Sequence, residues 1–507
     1  IGSGLVGSEM CIRDRYLDGE LLDVKTPDYT FNAAKTGKYE VTYSVVDNKT
    51  GVKFSKSAEI TVRSPYLVGW LILSEKDGKS ALSFIKMRTV KRDDIDAEGN
   101  PVERDSIIFY DVEKYFRPDL GTEPKGLMEH IGVEYDFGFS DAVYDEIVVM
   151  QGKDNWVELN GNTMEHEVYT KEEFGNDLPE NFEPVEAAMT FSSKLIRDKN
   201  GFIYLHRKVL ANDYHAGSYI SVPLANSTKF KGLYQAHKLY NRNYYVIPAC
   251  TEDNSLVGIW DAGRYNEYSL DGTPSAITEN SSRNDGNIVE LTENTDEKHF
   301  KQMSKNVIAM IPATCGRDNR FDVTDSYIVP KWLALMEEKG TYSMRYFGLE
   351  GDTSGGIVTV TDFKEVPVDA RVFAAGYVDM AVFQHKKYVV FASGKEIWYY
   401  PYGGSTSNAV LLKKFDQNIV SISSHDVEEY TRDGDIYHNG HLGVALENGD
   451  FFIYEVVEED KVLDNITVNQ LYPSPETEDK DNNNFGKIVD TLYKFGNASG
   501  VFTYTFQ

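Results

Sequence analysis

The sequence predicts an all-β protein, a seven-bladed β-propeller over residues 66–507 preceded by a truncated immunoglobulin-like β-sandwich over residues 16–64. Three observations carry that reading. Aromatic residues make up 13% of the chain, with 33 Tyr and 26 Phe, and these types suit half-buried strand surfaces. Apolar residues alternate with polar ones at period two, and Asp, Asn and Gly punctuate the runs. From residue 66 onward one hairpin pattern recurs seven times, with turn residues Asp77, Asp154, Asn200, Asn254, Asp318, Gly394 and Asn448. Their mean spacing of about 62 residues lets seven units fill the region, as divergent repetition around a ring requires.

Taken in order, residues 1–15 (IGSGLVGSEMCIRDR) show neither strand nor helix periodicity. They resemble a translated sequencing adaptor and are set apart as a non-native segment. In GKYEVTYSVVD, Tyr39, Val41, Tyr43 and Val45 fall on one face by strict alternation, Asp47 to Gly51 supplies a turn, and SAEITV returns with Ala58, Ile60 and Val62 aligned. A full sandwich of this type needs about 100 residues, so residues 16–64 represent its C-terminal part. The repeated hairpins then begin at WLILSEKDGKSALSF and end at LGVALENGDFFIYEV. Two neighbouring units share the wording VIPACTEDN and MIPATCGRDN, which places Cys250 and Cys315 at equivalent positions as unbonded, buried thiols. Four polar stretches, Val90 to Asp105, Met164 to Val185, Asp271 to Lys301 and Pro473 to Gly486, read as long rim loops. A single helix is expected, over Pro330 to Glu338, where Leu333 and Met336 share a side.

Composition removes several function classes. A formal net charge of −28, from 52 basic and 80 acidic residues, repels phosphate backbones and anionic lipid, so no nucleic-acid partner is expected. No apolar run reaches the roughly 18 residues that span a bilayer, so no transmembrane segment is expected. Three cysteines are too few for a disulfide framework.

The order of TGKYEVTYSVVD, the junction SPYLVGWLILSEKDGKSALSFI and the strand pair FASGKEIWYYPY resembles the PKD-like family lipoproteins of Bacteroidota. The resemblance implies a surface-exposed or periplasmic outer-membrane lipoprotein, lipid-anchored through an N-terminus missing from this sequence and associated with nutrient (polysaccharide) uptake. It implies no activity and no site residues.

Among local motifs, Asp94, Asp96, Glu98 and Asp105 place oxygens at positions 1, 3, 5 and 12 of a calcium loop. The weaker trio Asp479, Asp481 and Asn483 has the same character. Calcium is the one cofactor the sequence suggests. Gly351-Asp352-Thr353-Ser354-Gly355-Gly356 has one residue too many for a serine-protease GDSGG and reads as a Gly-rich turn. The ten histidines show no HExxH or comparable spacing and read as surface or loop residues, with Asp435, His438 and His441 in an exposed loop. Trp398, Tyr399, Tyr400 and Tyr402 read as blade packing rather than a sugar-stacking platform, because alternation buries half of them. No nucleophile elbow, phosphate loop or cofactor fingerprint is present. The expected function is therefore non-enzymatic: a cell-surface protein binding a glycan, peptide or partner protein of an outer-membrane uptake complex. The alternative is a glycoside hydrolase or lyase with acidic residues at the propeller channel.

Overall fold

The computed structural model describes residues 11–24, 31, 37–62, 64–66, 68–95, 99–134, 142–153, 155–189, 193–207, 218–225, 228–235, 245–261, 286–294, 298–313, 331–351, 356–383, 388–402, 408–430, 436–458, 465–475 and 483–494. The chain divides into two compact units, Ile1–Leu67 and Val68–Gln507. Among the described residues both are built from β-strands, and the only helical element is a 3-10 turn, Thr170–Phe174.

The first unit is one sheet of β1 (Cys11–Leu17), β2 (Glu20–Leu22), β3 (Gly37–Asp47) and β4 (Lys53–Val62) in the order β2-β1-β3-β4. The β3–β4 hairpin forms as its alternation requires, with Tyr39 opposite Ile60 and Val41 opposite Ala58. Its turn is tied by Gly51 N–H donating to the Asp47 carbonyl at 2.7 Å and by Lys49 N–H donating to the Asp47 carboxylate at 2.9 Å. Cys11 to Arg15, which lacked strand periodicity, pair along β3 in β1, with Cys11 opposite Asp47. Backbone pairing needs no alternation, so composition alone could not reveal it.

The second unit is a succession of antiparallel ladders. The first contains β5 (Gly69–Lys76), β6 (Lys79–Ile95) and β7 (Pro101–Gly121); the second contains β8 (Gly126–Glu134), β9 (Ala142–Met150), β10 (Val157–Asn160) and β11 (His166–Tyr169). The third has β12 (Pro184–Met189), β13 (Ser193–Asp198) and β14 (Ile203–Arg207). The fourth has β15 (Phe230–Leu233), β16 (Tyr245–Thr251), β17 (Leu256–Asp261) and β18 (Ile288–Thr292). The fifth has β19 (Asn306–Pro312), β20 (Lys331–Glu338), β21 (Thr341–Gly351) and β22 (Val358–Val368). A parallel pairing of β18 with β22 joins these two into one eight-stranded sheet. The sixth has β23 (Asp379–Phe383), β24 (Tyr388–Ser393), β25 (Glu396–Pro401) and β26 (Val410–Lys414); the seventh has β27 (Ile419–Tyr430), β28 (Ile436–Leu446), β29 (Phe451–Glu458) and β30 (Ile466–Tyr472). Finally β31 (Lys487–Lys494) returns to pair with β5, giving the first ladder the order β31-β5-β6-β7.

The strands that begin these ladders lie side by side: β31 packs between β27 and β8, β27 beside β23, β23 beside β19, and β15 beside β12. The arrangement is all-β and propeller-like. Its cores lie between ladders rather than inside one sandwich. Met128, Val148, Trp156, Ile196 and Tyr204 fill the space between the second and third ladders, and Trp70, Ile85, Phe451 and Tyr493 join the seventh to the first. Strands in the middle of a ladder are therefore buried on both faces.

Double burial explains where sequence and structure part. Six of the seven expected hairpins form: β5–β6, β9–β10, β16–β17, β24–β25 and β28–β29 are the two middle strands of a ladder, and β13–β14 are the second and third strands of a ladder with three described strands. Asp154 lies outside the described residues. In the fifth ladder the expected first arm, VIAMIP, is the starting strand β19, while Asp318 and the expected return strand lie outside the described residues. The true middle hairpin there is β20–β21, turning at Lys339 (φ 51°) and Gly340 (φ 80°). Pro330 to Glu338 is thus no helix. Lys331–Glu338 is a strand with five consecutive buried residues, Trp332 to Met336, and burial on both faces erases the alternation that would mark it. The shared wording accordingly falls on different strands, VIPAC on the second strand β16 and MIP on the starting strand β19, and Cys315 lies outside the described residues. Cys250 is a free, buried thiol. Val90 to Asp105, expected as a loop, is mostly the paired ends of β6 and β7.

Candidate functional site

Two groups of polar side chains sit where apolar packing would otherwise be expected. The first runs along the starting strands. Val489-Asp490 in β31, Val378-Asp379 at the start of β23, Val185-Glu186 in β12 and Val420-Ser421 in β27 occupy like positions. Asp490 Oδ2 accepts the Leu127 N–H of β8 at 2.7 Å, Asp379 Oδ2 accepts the Ile422 N–H of β27 at 2.8 Å, and Glu186 Oε2 accepts the Leu233 N–H of β15 at 2.8 Å. Each acid thereby fastens its ladder to the next one. The receiving position is small: Gly126, Ser421 or Gly232 precedes the donating residue. At Gly126 a Cβ would lie 3.3 Å from Asp490 Oδ2, so the carboxylate occupies the room a side chain would take.

Ser421 brings two of these acids together. Its hydroxyl lies 3.0 Å from Asp490 Oδ1 and 3.4 Å from Asp379 Oδ2. The remaining oxygen, Asp379 Oδ1, accepts the Met380 N–H at 2.8 Å, and Asp490 Oδ1 also accepts the Thr491 N–H at 2.8 Å. Removal from water, and then the neighbouring Asp490 charge, push the Asp379 carboxyl up to about 7; burial also raises Asp490, against its hydrogen bonds.

The second group lies between the second and third ladders. In β8 and β9, and at Trp156 just before β10, the apolar positions Met128, Val148 and Trp156 are followed two residues on or back by His130, Glu146 and Glu158. His130 is directly opposite Glu146 in the ladder. Across the gap Lys194 is opposite His206 in β13 and β14, and the 3-10 turn adds Glu173. An apolar layer is thus backed by a polar one, and every member is at most 5% exposed. Lys194 Nζ donates to both Glu158 oxygens at 3.0 and 2.9 Å and to Glu173 Oε1 at 2.7 Å. Burial pulls the ammonium pKa down, but the charges of Glu158, Glu173 and Glu146 outweigh it and the net shift is upward. For Glu158 burial acts upward, and Lys194 and His130 hold it well below the usual carboxylate range. The ligating atoms of His130, Glu146 and Glu158 lie within 4.8 Å of one another.

The residues singled out by sequence fall elsewhere. Asp94 and Asp105 lie on β6 and β7, opposite Val102 and Lys91, three register steps apart along one hairpin, whereas a calcium loop curls its first and twelfth residues together. Asp96, Glu98, Asp479 and Asp481 lie outside the described residues, and Asn483 is buried. Gly351 and Val358 are paired across the connection of β21 and β22, as a Gly-rich turn requires. Trp398, Tyr399 and Tyr400 are buried; Tyr399 faces the core with the seventh ladder, and Trp398 and Tyr400 face the core with the fifth.

The histidines are corrected. His130, His206, His425 and His441 are buried strand residues. His441 lies in β28, opposite His425, and its imidazole is pushed down to about 3 by burial. Its neighbour Asp435 lies outside the described residues. A His within an apolar strand was the available signal, and motif spacing passed over it.

The PKD-like family model matches residues 26–108. The match takes in β3 and β4 and runs on through β5 and β6 into β7, beyond the Ser64 limit read from the sequence. Among solved structures, the chain is similar to a quinonprotein alcohol dehydrogenase-like protein from Bacteroides thetaiotaomicron, with 10% identity, 96% of this chain and 89% of that chain covered, and a TM-score of 0.37. It is also similar to Prp20p from Saccharomyces cerevisiae, with 10% identity, coverage of 81% and 87%, and a TM-score of 0.35. No curated protein matches the sequence.

Proposed function

We propose that this protein is a non-enzymatic, surface-anchored binding protein of an outer-membrane polysaccharide-uptake system, whose propeller-like unit takes a glycan, peptide or partner protein at one rim. One observation carries the non-enzymatic part. All four oxygens of Asp379 and Asp490 accept hydrogen bonds from the protein, so the acids that converge at the starting strands act as fasteners between ladders. A glycosidase needs one carboxyl free to donate a proton and another facing the sugar. The PKD-like match supports a spacer module ahead of the binding unit.

A hydrolase is the second reading, favoured by the same pair, because an acid held up to about 7 beside a second carboxylate has the properties of a general acid. The test is to incubate the full chain with plant, fungal and host polysaccharides and measure both retention and release of reducing ends. Retention without release is expected. Steady release that disappears in Asp379→Asn would replace the binding reading with the hydrolase.

A further inference from the structure

A chain of side-chain hydrogen bonds leads from the first ladder to the two acids of the starting strands, and its hydrogens can be counted. The Trp70 indole N–H donates to Ser423 Oγ at 2.8 Å. Ser423 Oγ lies 3.0 Å from Thr491 Oγ1, which lies 3.2 Å from Ser421 Oγ. An indole nitrogen only donates, and each hydroxyl owns a single hydrogen. Ser423 receives the indole hydrogen, so its own goes to Thr491, that of Thr491 goes to Ser421, and that of Ser421 is left for a carboxylate. Asp490 Oδ1 stands at 3.0 Å to receive it and Asp379 Oδ2 at 3.4 Å. The Thr491 N–H, 2.8 Å from Asp490 Oδ1 and 3.3 Å from Ser421 Oγ, points chiefly at the carboxylate. One hydroxyl hydrogen cannot serve two carboxylates. Given to the nearer Asp490, it leaves Asp379 Oδ2 facing a lone pair of Ser421, oxygen against oxygen.

We propose that Asp379 and Asp490 form a single-proton site bridged by Ser421, a clasp that holds the sixth, seventh and first ladders together while the proton is bound and slackens when it leaves. The proton sits on Asp379 Oδ2 and is donated to Ser421, which donates in turn to the ionised Asp490. Asp379 Oδ2 keeps the Ile422 N–H on its other lone pair. The oxygen–oxygen conflict is then gone, and the pair carries one negative charge in place of two.

The surroundings agree. Ser421 and Thr491 are buried, whereas both aspartates keep part of their surface open, so the proton exchanges with solvent without unfolding. Among the described residues the hydrogen-bond partners of the two acids are backbone N–H groups and Ser421, with no cation. Tyr377, just ahead of β23, is a further titratable group beside Asp379, and burial, then the Asp379 charge, push its phenol up so that it stays protonated. Burial, and then the Asp490 charge, raise Asp379 to about 7, and burial raises Asp490, the direction that two acids sharing one proton require. A group held above its unfolded value contributes stability in acid and loses it as pH rises through the folded value. The clasp is therefore closed in mild acid and loosens in mild alkali.

The experiment follows the infrared carbonyl stretch of protonated carboxyl groups in the full chain as pH is raised from about 6, where ordinary carboxyls are ionised, to about 9. One protonated carboxyl should disappear across that range, and its band should be missing from Asp379→Asn. In Asp490→Asn, which removes the like charge, the midpoint should fall by about one unit or more. In Ser421→Ala, which removes the acceptor, the band should move to the higher frequency of a carboxyl without a hydrogen bond. Exchange of the Ile422 and Leu127 amides, corrected for its intrinsic pH dependence, should quicken by about tenfold across the native midpoint as the seam opens locally. A spectrum that does not change with pH, or a band retained in Asp379→Asn, overturns the site. A midpoint unmoved in Asp490→Asn together with a frequency unmoved in Ser421→Ala overturns the sharing. If the variants do not fold, the native protein decides: amide protection at Ile422 and Leu127 that stays level across the range overturns the clasp.

Discussion

At the scale of single residues, Asp379 is the most informative. Its carboxyl accepts backbone bonds from Met380 and Ile422, yet lost hydration and the nearby Asp490 charge raise its pKa to about 7. A raised folded-state value means the folded protein holds the proton more tightly than the unfolded one. The associated stability is full below about pH 3.9 and is lost as pH climbs through the folded value. Asp379→Asn removes the titration along with one acceptor. Whatever constant penalty the amide carries, the difference in melting temperature between variant and native protein should move in the variant's favour by about 2–4 °C from pH 4 to pH 8. A difference that stays flat across that range would show that the carboxyl does not titrate there. Neither Asp379 nor His130 stood out in the sequence. Each is a polar letter within a mostly apolar strand whose partner is distant in sequence: Asp379 meets Ile422 on the next ladder, and His130 meets Glu158 two strands along its own. The recurring Val-Asp, Val-Glu and Val-Ser pairs were legible in principle, but their meaning depends on the small residue they face.

At the scale of elements, the sequence revealed the hairpins whose turns carry Asp, Asn or Gly and missed the one that turns at Lys339-Gly340. Asp77 (φ 52°) and Gly78 (φ 76°) adopt the same left-handed pair of conformations as Lys339 and Gly340, so both hairpins use one turn geometry. Lysine carries less of that preference than aspartate, and the doubly buried β20 then passed for a helix. Double burial also makes strand glycines sensitive. At Gly443, in β28, a Cβ would lie 2.5 Å from Trp70 Nε1, 2.9 Å from Phe451 and 3.0 Å from Ser423 Oγ. The first and last of these atoms are partners in the 2.8 Å Trp70–Ser423 hydrogen bond between the first and seventh ladders. Gly443→Ala should cost about 1–3 kcal/mol in denaturant unfolding through overpacking. A midpoint equal to the native protein's would mean that this seam yields without loss.

At the scale of the whole molecule, repetition was legible because each ladder reuses one hairpin, whereas closure was not, because nothing local in KIVDTLYK names β5 as its partner. Pairing of Lys487 with Glu75 through Lys494 with Gly69 completes the first ladder, and Asp490 ties it to the second and seventh. Ending the chain after Phe485 should therefore abolish the sharp thermal transition of the second unit. Adding a synthetic peptide of residues 484–496 in trans should restore part of it; a truncated chain that melts like the native one would refute the role of β31. The same pairing has a consequence for synthesis. The hydrogen-bonding edge of β5 emerges from the ribosome with its partner still 412 residues away. At about 5–20 residues per second, that edge waits about 20–80 seconds without its strand. An open edge of apolar residues is a template for foreign strands, so the edge of β5 is an aggregation hazard on the nascent chain until β31 has been made and has paired with it.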